Sequence, residues 1–199
     1  MNALLVNLPN LITVLRAALI PVIAWRLAAG DFGAALALFF VSAASDAADG
    51  WIARRWRLRT RFGAIADPLA DKATMLTVTL LLAWLGALPL WLAALLVARD
   101  LVIVAGALAY HFVVGHVEMA PTLLSKANTG LEFVMLASAL AHAAGLAPSA
   151  AAWLPALYAV VALTIVLSGA QYVWVWGRKA ARARRSPGPR TTPPSPPTP

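Results

Sequence analysis

The chain has 199 residues, 61% of them hydrophobic, a mean hydropathy of +0.77 and a formal charge of +8. That is more apolar side chain than a soluble domain of this size buries, so a water-soluble globule is excluded and a bilayer is expected to cover the remainder. With no cysteine, a disulfide framework, a thiolate nucleophile and a thiolate metal site are excluded as well.

Six apolar runs reach about the 20 residues that cross a hydrocarbon core, which predicts an all-α polytopic membrane protein with six transmembrane helices. The first runs from about Leu8 to Leu27. Asn7, Leu8, Pro9 and Asn10 read as its helix start, with proline tolerated near a first turn and asparagine able to cap. This run has no basic segment in front of it and carries Arg16, so it is expected to be a structural span rather than a secretory signal, and an organelle transit peptide is not expected. The second run, Gly33 to Ile52, follows a short turn at Gly30; the third, Pro68 to Leu85, ends in a turn around Gly86. The fourth, Pro89 to Tyr110, is interrupted by Arg99 and Asp100. Ions inside a span face the bundle and pair, and because helix neighbours point apart each of these two is expected to find its own partner. The fifth and sixth runs are Leu123 to Leu146 and Ala151 to Trp176. Residues 1–179 are thus expected to form one membrane domain, followed by a basic, Pro-rich tail over 180–199. Its end, SPGPRTTPPSPPTP, cannot build a packed core and is expected to be disordered or extended.

Five of the sixteen Lys and Arg residues lie between Arg54 and Arg61, and six more follow Gly177. Positive clusters face the cytoplasm, so both termini and the loop between the second and third spans are expected on that side of a cytoplasmic membrane, of bacterial type. No nucleic-acid fold accompanies the charge, and no nucleic-acid partner is expected. His111, His116 and His142 lack ligand spacing, and the eight tryptophans read as interface anchors.

Four of the eight acidic residues, Asp46, Asp49, Asp67 and Asp71, sit within or at the ends of the second and third spans. An aspartate near the centre of a membrane helix costs roughly 2.5 to 3.5 kcal/mol, which a passive anchor would not retain four times over. Asp46 and Asp49 are three apart and Asp67 and Asp71 four apart, so each pair shares a helical face and the two faces can converge on one pocket. A bound divalent cation removes the repulsion among such carboxylates, and the all-oxygen set suits Mg²⁺ or Mn²⁺ better than zinc. Gly50, Ala53 and Gly63 allow close approach of backbone or ligand, although small-residue helix packing explains them equally well. A cation transporter would also bury carboxylates in a six-span bundle.

Residues 46 to 71 read DAADGWIARRWRLRTRFGAIADPLAD. At every fixed position and spacing this resembles the signature of the CDP-alcohol phosphatidyltransferases: D, two residues, DG, two residues, AR, eight residues, G, three residues, D, three residues, D. The opening NLPNLITVLR, the six spans and the continuation to Lys72 extend the resemblance over all but the tail. It implies that Asp46, Asp49 and Asp67 hold a pair of divalent cations on the diphosphate of a CDP-lipid, that Asp71 is the general base and also a metal ligand, and that the protein is a homodimer. It further implies that Gly50, Ala53 and Gly63 shape the nucleotide pocket and that Arg54 lies near the cytidine or diphosphate. A phosphate-bearing acceptor needs a cationic clamp, for which Arg57, Arg59, Arg61 and Arg99 are candidates; topology alone also explains the three in the loop.

The acceptor is less sharply marked. Residues 121 to 132, PTLLSKANTGLE, and the run through Tyr172 into the Gly177–Lys179 segment look like the branch that joins phosphatidylglycerol to CDP-diacylglycerol to give cardiolipin, with Glu132 standing where glutamine is expected. Enzymes that use glycerol 3-phosphate share the opening segment and the Lys126 and Thr129 pattern, so the two acceptors remain open. Lys126 and Thr129 share a face and could line the acceptor side, or Lys126 could simply reach the interface.

Overall fold

Each apolar run folds as a helix: α1 Ala3–Ala28, α2 Phe32–Arg55, α3 Arg61–Trp84, α4 Leu90–Val114, α5 Leu123–Ala143 and α6 Leu154–Arg185, with a 3-10 turn at Pro148–Ala152 ahead of α6. The structure, a computed structural model, describes the backbone of residues 3–55, 61–114 and 123–185 and the side chains of 12–48, 50, 67, 69–105 and 127–170. There is no strand among the described residues.

Helices α1, α3 and α5 end alike. Gly30, Gly86 and Gly145 take φ of 75°, 74° and 72°, a left-handed conformation that admits glycine without strain. The amides of Gly30 and Asp31 then turn back to the carbonyls of Leu27 and Arg26, and the same paired closure recurs at Gly86 and Gly145. Asp31 accepts from the amide of Ala34 at 3.0 Å and so caps α2. These tight turns make consecutive helices antiparallel neighbours and gather the three connections at one end of the bundle.

Three boundaries differ from expectation. Helix α1 begins at Ala3, so Pro9 and Asn10 lie inside it rather than at its start; Ala3, Leu4 and Leu5 are good helix formers, and one proline removes a single ladder hydrogen bond. Helix α3 begins at Arg61 rather than at Pro68, so Asp67 lies inside the helix and not at its edge. Helix α6 runs on to Arg185, which makes the Ala- and Arg-rich stretch 180–185 helical; residues 186–199 lie outside the described residues.

Helix α1 packs on α2 and α3, α5 on α6 and α2, and α4 on α6 and α3. The shared core holds Phe39, Leu82, Leu92, Met135, Leu136 and Val161, all buried. Phe39 also stacks on Phe133 with ring centroids 4.9 Å apart, joining α2 to α5. Polarity is distributed unlike that of a soluble bundle: Arg16, Thr13, Arg99 and Glu132 are buried, while Leu69, Leu90, Leu101 and Trp84 stand exposed. Among the described residues, no helix is long and apolar enough to cross a membrane.

Candidate active site

Asp46 from α2 and Asp67 from α3 meet at one cation, Arg16 of α1. Arg16 Nη1 pairs with Asp46 Oδ1, and Nη2 lies 3.7 Å from Asp67 Oδ1. One turn earlier, the hydroxyl of Thr13 donates to the same Asp67 oxygen. Thr13 and Arg16 are three apart and so share a helical face. Both are almost wholly buried, at 3% and 1% exposure, whereas the side chains of Asp46 and Asp67 keep 46% and 36%. The guanidinium is therefore sunk in the bundle and the carboxylates open outward from it, accessible to a ligand.

This arrangement follows from the cost of the arginine. A guanidinium on an apolar helix must find acids or stay in water, and here α2 and α3 supply them. Satisfying Arg16 selects which faces of α2 and α3 turn inward. Thr13 adds a hydrogen bond to a charged group, a contribution of about 1.5 to 3 kcal/mol in a buried setting. Thr13→Val keeps the shape and removes that donor. We expect a several-fold loss of turnover and a small fall in melting temperature, measured side by side with wild type, and an unchanged turnover would show that the hydroxyl does not position Asp67.

Asp71 lies one turn beyond Asp67 on α3, half-buried, and interacts electrostatically with Asp46, Arg16 and Lys72. Asp46 and Asp67 thus meet at one cation, with Asp71 within electrostatic reach of it. Asp49 sits on α2 one turn from Asp46, with its side chain outside the described residues, as are those of Ala53, Arg54, Arg61, Gly63 and Lys126 and the whole of Arg57 and Arg59. Gly50 follows Asp49 on α2. Among the described residues, no three acidic or imidazole side chains are close enough to hold a metal ion by themselves. The donor chemistry nonetheless fits a hard divalent cation: accessible carboxylate oxygens, no sulfur and no imidazole.

A second polar group adjoins the first. Lys72 Nζ lies 2.5 Å from Asp100 Oδ1, and Arg99 Nη1 donates to the same oxygen at 3.0 Å. Asp100 thus has the separate partner expected of it in Lys72, but the expectation that Arg99 and Asp100 would not pair with each other is corrected. The arginine side chain is long enough to fold back onto its neighbour's carboxylate, and Asp100 serves two cations at once. Lys72, far from merely reaching toward an interface, ties α3 to α4.

Glu132 on α5 is 3% exposed, and its Oε2 has no hydrogen-bond partner among the described residues. It interacts electrostatically with Lys72, Asp100, Arg99 and Asp71. One turn away, the amide oxygen of Asn128 accepts from the hydroxyl of Thr164 on α6 at 2.8 Å. Sequence reasoning did not single out Thr13 or Arg16 as site residues. The available signal was a lone basic residue inside an apolar run with a hydroxyl three positions before it.

Fold and site together define an all-helical protein whose polar centre is built from acids of α2 and α3 on a buried arginine of α1. The family model for CDP-alcohol phosphatidyltransferase matches residues 6–176, and the chain belongs to that family. It is similar to a probable cardiolipin synthase (CMP-forming) of Drosophila melanogaster, with 32% identity over 152 residues, 68% of this chain and 47% of that protein. The human cardiolipin synthase (CMP-forming) is 28% identical over 196 residues, 88% of this chain and 63% of its own length. A CDP-diacylglycerol–glycerol-3-phosphate 3-phosphatidyltransferase of Bacillus subtilis is 32% identical over 151 residues, 68% of this chain and 77% of that one. The chain thus spans less than two-thirds of the length of the two cardiolipin synthases.

Proposed function

We propose that this protein transfers the phosphatidyl group of CDP-diacylglycerol to an alcohol with release of CMP, and that the alcohol is phosphatidylglycerol, giving cardiolipin. The observation that carries the reading is the meeting of Asp46 and Asp67 on Arg16 beside Asp71, at the positions that match the family's acidic motif. Glycerol 3-phosphate is the second reading of the acceptor, favoured by the similarity to the Bacillus subtilis protein.

In this mechanism Asp46, Asp49, Asp67 and Asp71 would hold Mg²⁺ or Mn²⁺, in the proposal two ions, which when bound would neutralise the diphosphate and the departing CMP. The protein's own residues do the rest. Arg16 and Thr13 fix the orientation of Asp46 and Asp67 from beneath. The Asp71 carboxylate takes the proton of the acceptor hydroxyl as its oxygen bonds to phosphorus and the bond to the CMP oxygen breaks. Gly50, Ala53, Arg54 and Gly63 would shape the nucleotide side, and Arg57, Arg61, Arg99 and Lys126 the acceptor side.

The same reading places the bundle in a membrane. Large apolar side chains face outward while Arg16, Arg99 and Glu132 are buried, and Trp25, Trp84, Trp91 and Trp153, all exposed, stand at the end of the bundle that carries the glycine turns. Such a ring suits one membrane interface. The arginine clusters then put the opposite end, with the acids, on the cytoplasmic side, and a homodimer remains part of the proposal on family resemblance. Purified protein incubated with CDP-diacylglycerol, Mg²⁺ or Mn²⁺ and each acceptor in turn should yield cardiolipin with phosphatidylglycerol; a new lipid formed only from glycerol 3-phosphate would move the acceptor to the second reading.

A further inference from the structure

Between α4 and α6 lies an open cleft of about 210 Å³. Ala98 and Val102 line it from α4, and Ile165, Val166 and Gly169 from α6; Arg99 is its one charged lining residue among those described. Val102 and Val166 are 51% and 57% exposed, so the cleft faces outward along the side of the bundle. An apolar trough with a guanidinium in its wall matches a molecule that is hydrocarbon at one end and anionic at the other.

Arg99 is 9% exposed and shares Asp100 with Lys72, and both cations also interact electrostatically with Glu132. Asp100 keeps Lys72 when Arg99 turns to an anion. Glu132 on the neighbouring α5 interacts electrostatically with both Arg99 and Asp71. Its buried Oε2, without a hydrogen-bond partner, is suited to accept from a hydroxyl. Ser168, next to Gly169, is fully buried, and its hydroxyl likewise has no hydrogen-bond partner among the described residues. The cleft itself thus combines a cation for phosphate with a trough for hydrocarbon.

We propose that the α4–α6 cleft seats an acyl chain of a phospholipid acceptor, with its phosphate on Arg99 and its headgroup hydroxyls toward Glu132. The inference rests on the transferase reading and deepens it: the acceptor is itself a lipid and reaches Asp71 sideways, from within the membrane. A soluble glycerol phosphate has no chain to fill the cleft.

Gly169 supplies the test, because a Cβ added there meets nothing within 4 Å, so a larger side chain can enter the cleft without shifting backbone. Full-length protein in mixed micelles, with CDP-diacylglycerol saturating and phosphatidylglycerol varied, should show Gly169→Leu raising KM for phosphatidylglycerol about tenfold or more with KM for CDP-diacylglycerol unchanged. Val166→Phe, at an exposed lining position, should do the same, and the unchanged donor KM reports that both variants fold. The inference is overturned if neither variant changes the phosphatidylglycerol KM, or if the donor KM rises in step, since the cleft would then hold the donor's chain. Wild type that releases CMP only with glycerol 3-phosphate would overturn the inference and leave the transferase reading standing. Wild type that releases no CMP with either acceptor would remove both.

Discussion

Asp71→Asn is expected to lower kcat by about 10²- to 10⁴-fold, the range that a positioned general base contributes. Asparagine keeps the size and a hydrogen-bonding oxygen but cannot take the acceptor's proton. Asp71 is half-buried on α3, one turn past the Asp67 that Arg16 holds, so its place is set by the same helix face that presents the metal-ligand candidate. Loss of a base lowers the maximal rate whatever the metal concentration, whereas loss of a ligand alone is relieved by more metal. Kinetics at two Mg²⁺ or Mn²⁺ concentrations separate the two, and a variant restored to wild-type rate by excess metal would make Asp71 a ligand and not the base.

Arg16→Met should reduce activity about 10- to 100-fold at saturating metal, as removal of groups that orient metal ligands commonly does. Methionine fills much of the space left by the buried side chain, and Asp46 and Asp67 are exposed enough to stay hydrated without it. The folded state is therefore expected to survive with a modest fall in melting temperature. What is lost is the common anchor that aims two carboxylates from different helices at one place. Full activity at saturating metal would contradict this role. Activity falling only in proportion to unfolded protein would make Arg16 a stability residue instead.

Much of the architecture was legible in the sequence because each helix is built on one long, predominantly apolar run, and a run of that length has few ways to fold. The exact ends were less so. At Asp67-Pro68 the proline suggested a span start, yet α3 already runs from Arg61, with Pro68 two turns inside it at the loss of one ladder hydrogen bond. The pairing of the acids by face was readable from spacings of three and four. The role of Arg16 was not, because its partners are distant in sequence: Asp46 is 30 residues away, and Thr13 reaches Asp67 across 54. Spacing rules report neighbours on one helix and are silent about contacts between helices. They also misled at Arg99 and Asp100, where a long flexible side chain closed a contact that backbone geometry disfavours. Glu132 stood out as a departure in the acceptor segment, but only its burial without a hydrogen-bond partner gives it a physical reason to meet a ligand.

The central claim is that acids gathered on Arg16 cleave the diphosphate of a CDP-lipid when an alcohol attacks. CMP release from CDP-diacylglycerol by the purified protein, followed with phosphatidylglycerol present and with Mg²⁺ or Mn²⁺ added or chelated, tests it most directly. The account predicts release that requires both the divalent cation and the acceptor, and that falls to near background in Asp71→Asn. Release that persists undiminished in the chelator or in the variant, or its absence from wild type under every condition, would contradict it.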